Sequence, residues 1–397
     1  MRQVPVVAFF LVIIIDAMSF GIVTPVLASL VNQTSLLGGS ELYRHVMYGI
    51  LQSVTPLCYM IGAPLLGYFS DRVGRKKILF YCTFGSLFGL MGYTIAFITN
   101  SLLILFVARI IVGATTGSLA IAQAAIADIS SGAEKAKNIG IIAVAMTIGL
   151  VAGPLLGGVF SDPTLVSWFN NTTPFYVGIF LVLINIVVLL KMLKNDSVNA
   201  SREFTFFHDL CHLFKLPKLR SILIVFFVFE LGWSLYYSSI ALLLSQQFHF
   251  SNKMIGIFSS YIGFILSIFL FLGVRIVVRK IPLRLIIMPS LLVAAIVLGI
   301  GFLFNSMLLQ WGIVVLIALP VALCYSILIT LASDQLPSYE QGLLMGVTDS
   351  LLSLAFAITG LLSGILAVNN AVLPELVAGL FFMMATLIFY MINRGKQ

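Results

Sequence analysis

Residues 67–77 read Gly-Tyr-Phe-Ser-Asp-Arg-Val-Gly-Arg-Lys-Lys, placing five charges in the seven positions from Asp71 to Lys77 of a chain that is 9% charged. Apolar stretches flank the run on both sides, over residues 46–66 and 78–98. At about 1.5 Å per helical residue, each is long enough to cross roughly 30 Å of hydrocarbon. The run is therefore read as a tight interhelical loop at a membrane surface.

The rest of the chain supports a membrane setting. Hydrophobic residues make up 60% of it and the mean hydropathy is +1.13, far from the composition of soluble domains. Apolar stretches of ~20 residues predict spans at 4–30, 46–66, 78–98, 102–127, 139–160 and 175–193, and again at 222–244, 255–274, 283–304, 308–332, 343–368 and 372–392. The expectation is an all-α membrane protein of twelve transmembrane helices. The first span is too long for a secretory leader and lacks a small-residue cleavage site.

A net charge of +8 would point to nucleic acid in a soluble protein, but here its distribution gives it another meaning. With the N-terminus inside, 19 of the 22 Lys and Arg fall on the inner side, Arg44 and Lys253 fall outside, and Arg109 lies within a span. The bias predicts cytoplasmic N- and C-termini and no nucleic-acid partner. Cys58, Cys82, Cys211 and Cys324 lie in spans or the inner linker, so no outward disulfide framework is indicated. Asn32-Gln-Thr34 and Asn170-Asn-Thr172 fit the glycosylation pattern, which short sequences also meet by chance. Short loops and compact tails favour a multi-pass protein of a bacterial inner membrane, expected to be a monomer in contact with lipid.

The longest polar interruption divides the chain into a six-helix bundle at 1–194, a cytoplasmic linker at 195–220 and a second six-helix bundle at 221–397. In the linker, Phe207, Leu210, Cys211 and Phe214 recur at helical spacing opposite His208, Asp209, His212 and Lys215, which suggests an interfacial helix. His208, Cys211 and His212 have a spacing that suits a metal, but a plain amphipathic linker accounts for them. No metal or cofactor is expected. A shift of 206 residues sets Asp128 on Asp334, Glu134 on Glu340, Gly140 on Gly346, Gly158 on Gly364 and Gly67 on Gly273, as in an internal duplication with pseudo-two-fold symmetry. The second copy has Val277 and Val278 in place of Asp71 and Arg72, and Val315 in place of Arg109.

Several motifs give the chain a family resemblance. The run at Gly67 to Lys77 resembles the signature between spans two and three of the major facilitator superfamily, G-x-L-a-D-r-x-G-r-k. Leu105-x-x-x-Arg109-x-x-x-Gly113 resembles the family's fourth-span motif. Gly149-Leu-Val-Ala-Gly153-Pro154-Leu-Leu-Gly157-Gly158 resembles the fifth-span motif of its proton antiporters. Asp16-x-x-x-x-Gly21-x-x-x-Pro25 and Ala127-Asp128-Ile129 are similar to the tetracycline-efflux branch of the drug:proton antiporters. The resemblance implies a secondary transporter whose bundles rock about a central cavity, exporting a small organic or amphipathic compound in exchange for protons. It also implies that Gly67, Asp71, Arg72, Gly74, Arg75, Lys76 and Asp128 form a latch stabilising the outward-facing state. A surface anchor explains the basic residues equally well but gives Asp71 nothing to do.

Ionisable groups inside spans are costly and so are candidate sites. Asp16 lies about 18 Å along the first span and Arg109 about 11 Å from the outer end of the fourth, so both sit at a similar depth. A buried Asp16 and Arg109 pair follows, serving either as a proton-responsive switch or as static packing. Glu230, mid-span in the seventh, has no evident basic partner and joins this proton-coupling set. Trp233, Ser234 and Tyr237 follow it on one helical face, a surface fit to hold an amphipathic cation. Phe20, Thr116, Gln123 and Asp349 complete the expected cavity, with helix packing the alternative for the span-four stripe Arg109, Gly113, Thr116, Ala120 and Gln123. Gly149, Gly153, Pro154, Gly157 and Gly158 remove side chains along one face and one backbone donor, giving a close and pliable helix.

Two alternatives remain from the sequence. One is a proton-coupled importer or exporter of a specific metabolite or siderophore on the same scaffold. The other is a non-transporting receptor or scaffold, which has no use for intramembrane charges. No nucleotide loop, span-borne metal set or Ser/His/Asp arrangement supports an enzyme.

Overall fold

A computed structural model describes residues 3–31, 36, 38–129, 132–192, 213–304, 306–337 and 340–394. Among the described residues, twelve helical stretches are long and apolar enough to cross a membrane. Helices suit this setting because each satisfies its own backbone donors and acceptors where no water is present to do so. The protein is an all-α, multi-pass membrane protein.

The first span is built from α1 (Gln3–Gly21) and α2 (Val23–Leu30). α3 (Glu41–Val73), α4 (Arg75–Thr99), α5 (Leu102–Thr115), α6 (Ser118–Ile129), α7 (Gly132–Val159) and α8 (Thr173–Met192) follow. The later spans are α9 (Pro217–Gln247), α10 (Asn252–Ile268) running through a π-helix at Phe269–Gly273 into α11 (Val274–Val278), α12 (Leu283–Leu303), α13 (Met307–Ser333), α14 (Gln341–Ala367) and α15 (Leu373–Arg394). The expected linker helix at 207–215, with His208, Cys211 and His212, falls mostly outside the described residues. Helix starts are marked by hydroxyl caps: Ser40 Oγ accepts from Tyr43 N at 3.3 Å and Ser306 Oγ accepts from Leu309 N at 3.3 Å.

Two departures from the hydropathy reading matter for the site. The charged run is not a loop, because α3 continues through Val73 and α4 begins at Arg75, leaving Gly74 alone between them. Its φ of 108° is a backbone state that side-chain-bearing residues avoid, so glycine makes a one-residue turn possible. Second, the fourth span is broken: α5 ends at Thr115 and α6 begins at Ser118. Thr116 takes an extended backbone at φ −75°, ψ 117°, with its hydroxyl folded back onto Val112 O at 2.7 Å.

The described residues group into two compact units. The first takes in residues numbered within 1–44, 54–204 and 249–263, and the second those within 45–53, 205–248 and 264–397. In the first unit a buried core joins Val12 and Ile13 of α1 to Leu79 and Cys82 of α4, Ala122 and Ile126 of α6, and Ile142 and Ala145 of α7. Beyond α7, Asp162 accepts from Thr164 N at 2.9 Å and Thr164 Oγ1 at 2.8 Å, and lies 3.6 Å from Lys253 Nζ. The Thr164 amide, helped by the hydroxyl and by Lys253, holds the Asp162 carboxyl below its ordinary 3.8. Asn252 Nδ2 donates to Asn171 Oδ1 at 3.0 Å alongside, so the start of α10 is tied to the 160–172 segment. In the second unit α9 is the central helix, packed against α13, α14 and α15.

Candidate functional site

The first unit gathers its polar groups at the break in the fourth span. Asp16 of α1 accepts Ser86 Oγ of α4 at 2.9 Å and also accepts the hydroxyl of Ser118, the first residue of α6. The N-terminal end of α6 is thereby presented to a carboxylate, the arrangement a helix dipole favours. Asp16, Phe20, Ser86 and Thr116 line one small cavity. Three sequence-predicted residues thus converge there, whereas Gln123 sits half-buried farther along α6 and does not line it.

The expected Asp16 and Arg109 pair is not formed. Both Asp16 oxygens are occupied by serine hydroxyls, and Arg109, 4% exposed, lies beside Tyr93 instead. Equal depth along two helices does not fix the direction in which side chains point. The Arg109 backbone is fixed as well, since Thr55 Oγ1 of α3 donates to its carbonyl at 3.2 Å. Gly113, one turn on, packs on α3: a Cβ there would lie 2.4 Å from Thr55 O. The span-four stripe therefore divides, Gly113 serving packing and Thr116 the cavity.

At the α3 to α4 turn, Asp71 and Arg75 form an ion pair of 2.6 Å, and Arg75 Nη1 also donates to Ser70 Oγ at 2.7 Å. Arg72 stacks on Tyr68 with 4.6 Å from Cζ to the ring centroid. Lys76 is half-buried. A Cβ at Gly67 would meet nothing within 4 Å among the described residues, so no close helix approach depends on this glycine. Asp128 is in α6, with its side chain outside the described set. The Asp71 carboxylate holds both helix ends at this corner, and Asp71→Asn should cut transport by about threefold to fivefold, the size of a bias between conformers of up to about 1 kcal/mol. Membrane insertion should be unchanged, since a part-exposed ion pair contributes little stability. Transport at the wild-type rate with equal insertion would refute the latch.

The glycines of α7 face two partners. Cβ atoms added at Gly149, Gly153 and Gly157 would lie 2.6 Å from Ile14 O, 2.7 Å from Met18 O and 2.2 Å from Ile22 O, so these three positions are moulded to the first span. Gly158 turns to α10, where its Cβ would be 2.6 Å from Asn252 O and 3.0 Å from Gly256 Cα. Pro154 serves both contacts, with its ring against Gly21 and its carbonyl against Gly256.

In the second unit, Glu230 is fully buried in α9 and, among the described residues, neither carboxyl oxygen has a hydrogen-bond partner. Asp349 of α14 is exposed to open space yet close enough to act electrostatically on Glu230. Ser234 donates to Glu230 O at 2.6 Å and pairs with Thr359 Oγ1 at 2.9 Å, so it is spent on helix packing and not on a cavity wall. Trp233 and Tyr237 have ring centroids 6.0 Å apart, and Tyr237 meets Phe356 edge-on at 6.0 Å. Trp233, Tyr237 and Phe356 thus form one aromatic group, and Glu230 lies one and two turns earlier on α9.

Sequence reading passed over Glu375 in α15. It is fully buried against Gly301, whose added Cβ would lie 2.8 Å from Glu375 Oε2, and Gln310 of α13 is fully buried as well. The rule that flagged Asp16, a carboxylate within an apolar span, applies to Glu375 too. Ser86 and Ser118 were also missed, and for serine in a span the sequence carries no such signal. Among the described residues no three His, Cys, Asp or Glu side chains gather as metal ligands.

Residues 9–360 match the Major Facilitator Superfamily. The tetracycline resistance protein, class E, of Escherichia coli is 25% identical over 358 residues, 87% of this chain and 84% of that protein. The class B tetracycline resistance protein of Escherichia coli is 24% identical over 261 residues, 64% of this chain and 62% of its own length, so that match spans less than two thirds of the relative. Among solved structures, a D-xylose–proton symporter has a TM-score of 0.75 at 15% identity, covering 96% of this chain and 97% of its own. At that identity the likeness is one of fold.

Proposed function

Because this chain belongs to the Major Facilitator Superfamily, a family of transporters and not of enzymes, we propose that it exports a small organic or amphipathic compound in exchange for protons. The observation that carries this reading is the Asp16 carboxylate, open to a cavity and held by two hydroxyls at a helix break. An ionised carboxylate accepts from both serines, whereas a protonated one donates at one oxygen, so one serine hydroxyl has to turn from donor to acceptor. Proton arrival therefore reverses one of the hydrogen bonds that hold α1 to α4 and α6 and removes the charge they share. The tetracycline resistance relatives support efflux as the direction.

The moving parts in this proposal are the sequence halves, residues 1–194 and 221–397, with cytoplasmic termini in a bacterial inner membrane. Contacts joining α7 to α10 at Gly158 and Gly256, and α3 to α9 where Tyr48 OH donates to Ser238 O at 3.2 Å, then have to part in each cycle. Gln246 and His45, 2.6 Å apart through their side-chain nitrogens, belong to the second of these. Glu230, with Trp233, Tyr237 and Asp349, supplies the charge that selects substrate once a change of conformer uncovers it, since here it is fully buried and its oxygens have no partner among the described residues.

The test is a proteoliposome assay with an imposed pH gradient and a panel of cationic and neutral compounds. Glu230→Gln keeps the shape and removes the charge, so uptake of cations should fall about tenfold while neutral compounds are moved as before. Transport indifferent to the pH gradient would end the antiporter reading. An equal loss for cations and neutral compounds would end the role assigned to Glu230.

A further inference from the structure

At one membrane surface of the second unit, the first turns of α9 and α12 meet the last turns of α13 and α15 around an open cleft of ≈ 400 Å³. Its polar rim includes Lys218, Arg284 and Gln335, and its floor includes Ile222, Phe389 and Ile392. Lys218 and Arg284 are exposed, and among the described residues neither makes an ion pair or hydrogen bond. Asp334, next to Gln335 in the chain, does not line the cleft.

The placement of these two cations runs against helix electrostatics. A helix N-terminus carries partial positive charge and favours carboxylates in its first turn. α9 and α12 have no acidic residue there and no side-chain cap, and each instead bears a basic side chain at its second position. Two helix starts and two full cations thus gather positive potential at one opening. An anion in the cleft relieves this repulsion.

The floor decides what kind of anion fits. A free phosphate is wholly hydrated and gains nothing from Ile222, Phe389 and Ile392, whereas a phospholipid puts its phosphate at the rim and its first methylenes on the apolar floor. Its source is at hand, because the cleft opens where the helices leave the bilayer, and basic pockets between transmembrane helices suit anionic headgroups. We propose that this cleft is a binding site for an anionic phospholipid, with Lys218 and Arg284 on its phosphate and Phe389 and Ile392 against the upper part of a chain.

The intact protein in detergent is titrated with phosphatidylglycerol and, separately, with phosphatidylcholine, and retained lipid is counted by native mass spectrometry. Phosphatidylglycerol should be retained in preference, and the double variant Lys218→Gln, Arg284→Gln should weaken it by about tenfold to thirtyfold, since each surface charge contributes roughly a factor of five. The charge-keeping variant Lys218→Arg, Arg284→Lys should restore retention, which separates lost charge from lost folding. Glycerol phosphate at millimolar concentration should not displace the lipid. Equal retention of the two lipids, equal retention by wild type and the Gln variant, or full displacement by glycerol phosphate would each overturn the site.

Discussion

Asp16→Asn is expected to abolish pH-driven accumulation of substrate while leaving the protein folded and able to exchange substrate across the membrane. The exchange of one carboxyl oxygen for an amide nitrogen turns an acceptor into a donor, and a serine hydroxyl can rotate to accept from it. Ser86 Oγ, 2.9 Å from Asp16 Oδ1, is in position to do so, so the packing of α1 on α4 should survive. On the proposed mechanism, what is lost is the group that takes up and releases a proton within the cavity. One proton moving through about 150 mV supplies roughly 3.5 kcal/mol, which supports a gradient of several hundredfold. In proteoliposomes that gradient should collapse to equal concentrations in the variant, while substrate counterflow, which needs no proton, continues. A variant that still accumulates substrate against its gradient would show that the coupling proton is carried elsewhere, with Glu230 the next group to test.

Hydropathy made the twelve spans legible, because a bilayer leaves few alternatives to apolar helices about twenty residues long. It placed the ends poorly. The run from Asp71 to Lys77 belongs largely to the ends of α3 and α4, since helices extend past the hydrocarbon and keep their charged residues in water. The fourth span's break left a faint trace in Thr115-Thr116-Gly117-Ser118, four weak helix formers in a row that an average over twenty residues conceals. Depth was legible and direction was not: Asp16 and Arg109 were given a common level, yet one faces Ser86 and Ser118 and the other Tyr93. The glycine seam of α7 was visible as a pattern. Which helix each glycine meets depends on neighbours far away in sequence, Ile22 for Gly157 and Gly256 for Gly158, and no local rule reports them.

That division of the seam separates folding from switching at adjacent residues. Gly157→Ala forces a Cβ to 2.2 Å from the Ile22 carbonyl, a backbone atom that cannot step aside without moving α2. Overpacking of this kind costs about 3 kcal/mol, so the variant should melt markedly lower in detergent and insert poorly. Gly158→Ala forces a Cβ to 2.6 Å from Asn252 O and 3.0 Å from Gly256 Cα, a clash with α10 and not with the first span. If the halves separate there in each cycle, the clash exists only while α7 and α10 are in contact, and the protein escapes it by changing conformer. Gly158→Ala should therefore keep most of its thermal stability but shift the balance between conformers by about tenfold or more. A thiol-reactive probe on a cysteine placed near Gly256 should then react faster than in the parent chain. Gly140, whose added Cβ meets nothing within 4 Å among the described residues, provides the neutral comparison on the same helix. If Gly158→Ala lowers the melting temperature as far as Gly157→Ala does, without faster labelling, the α7 to α10 contact is a fixed part of the fold, and alternation has to be sought at another seam.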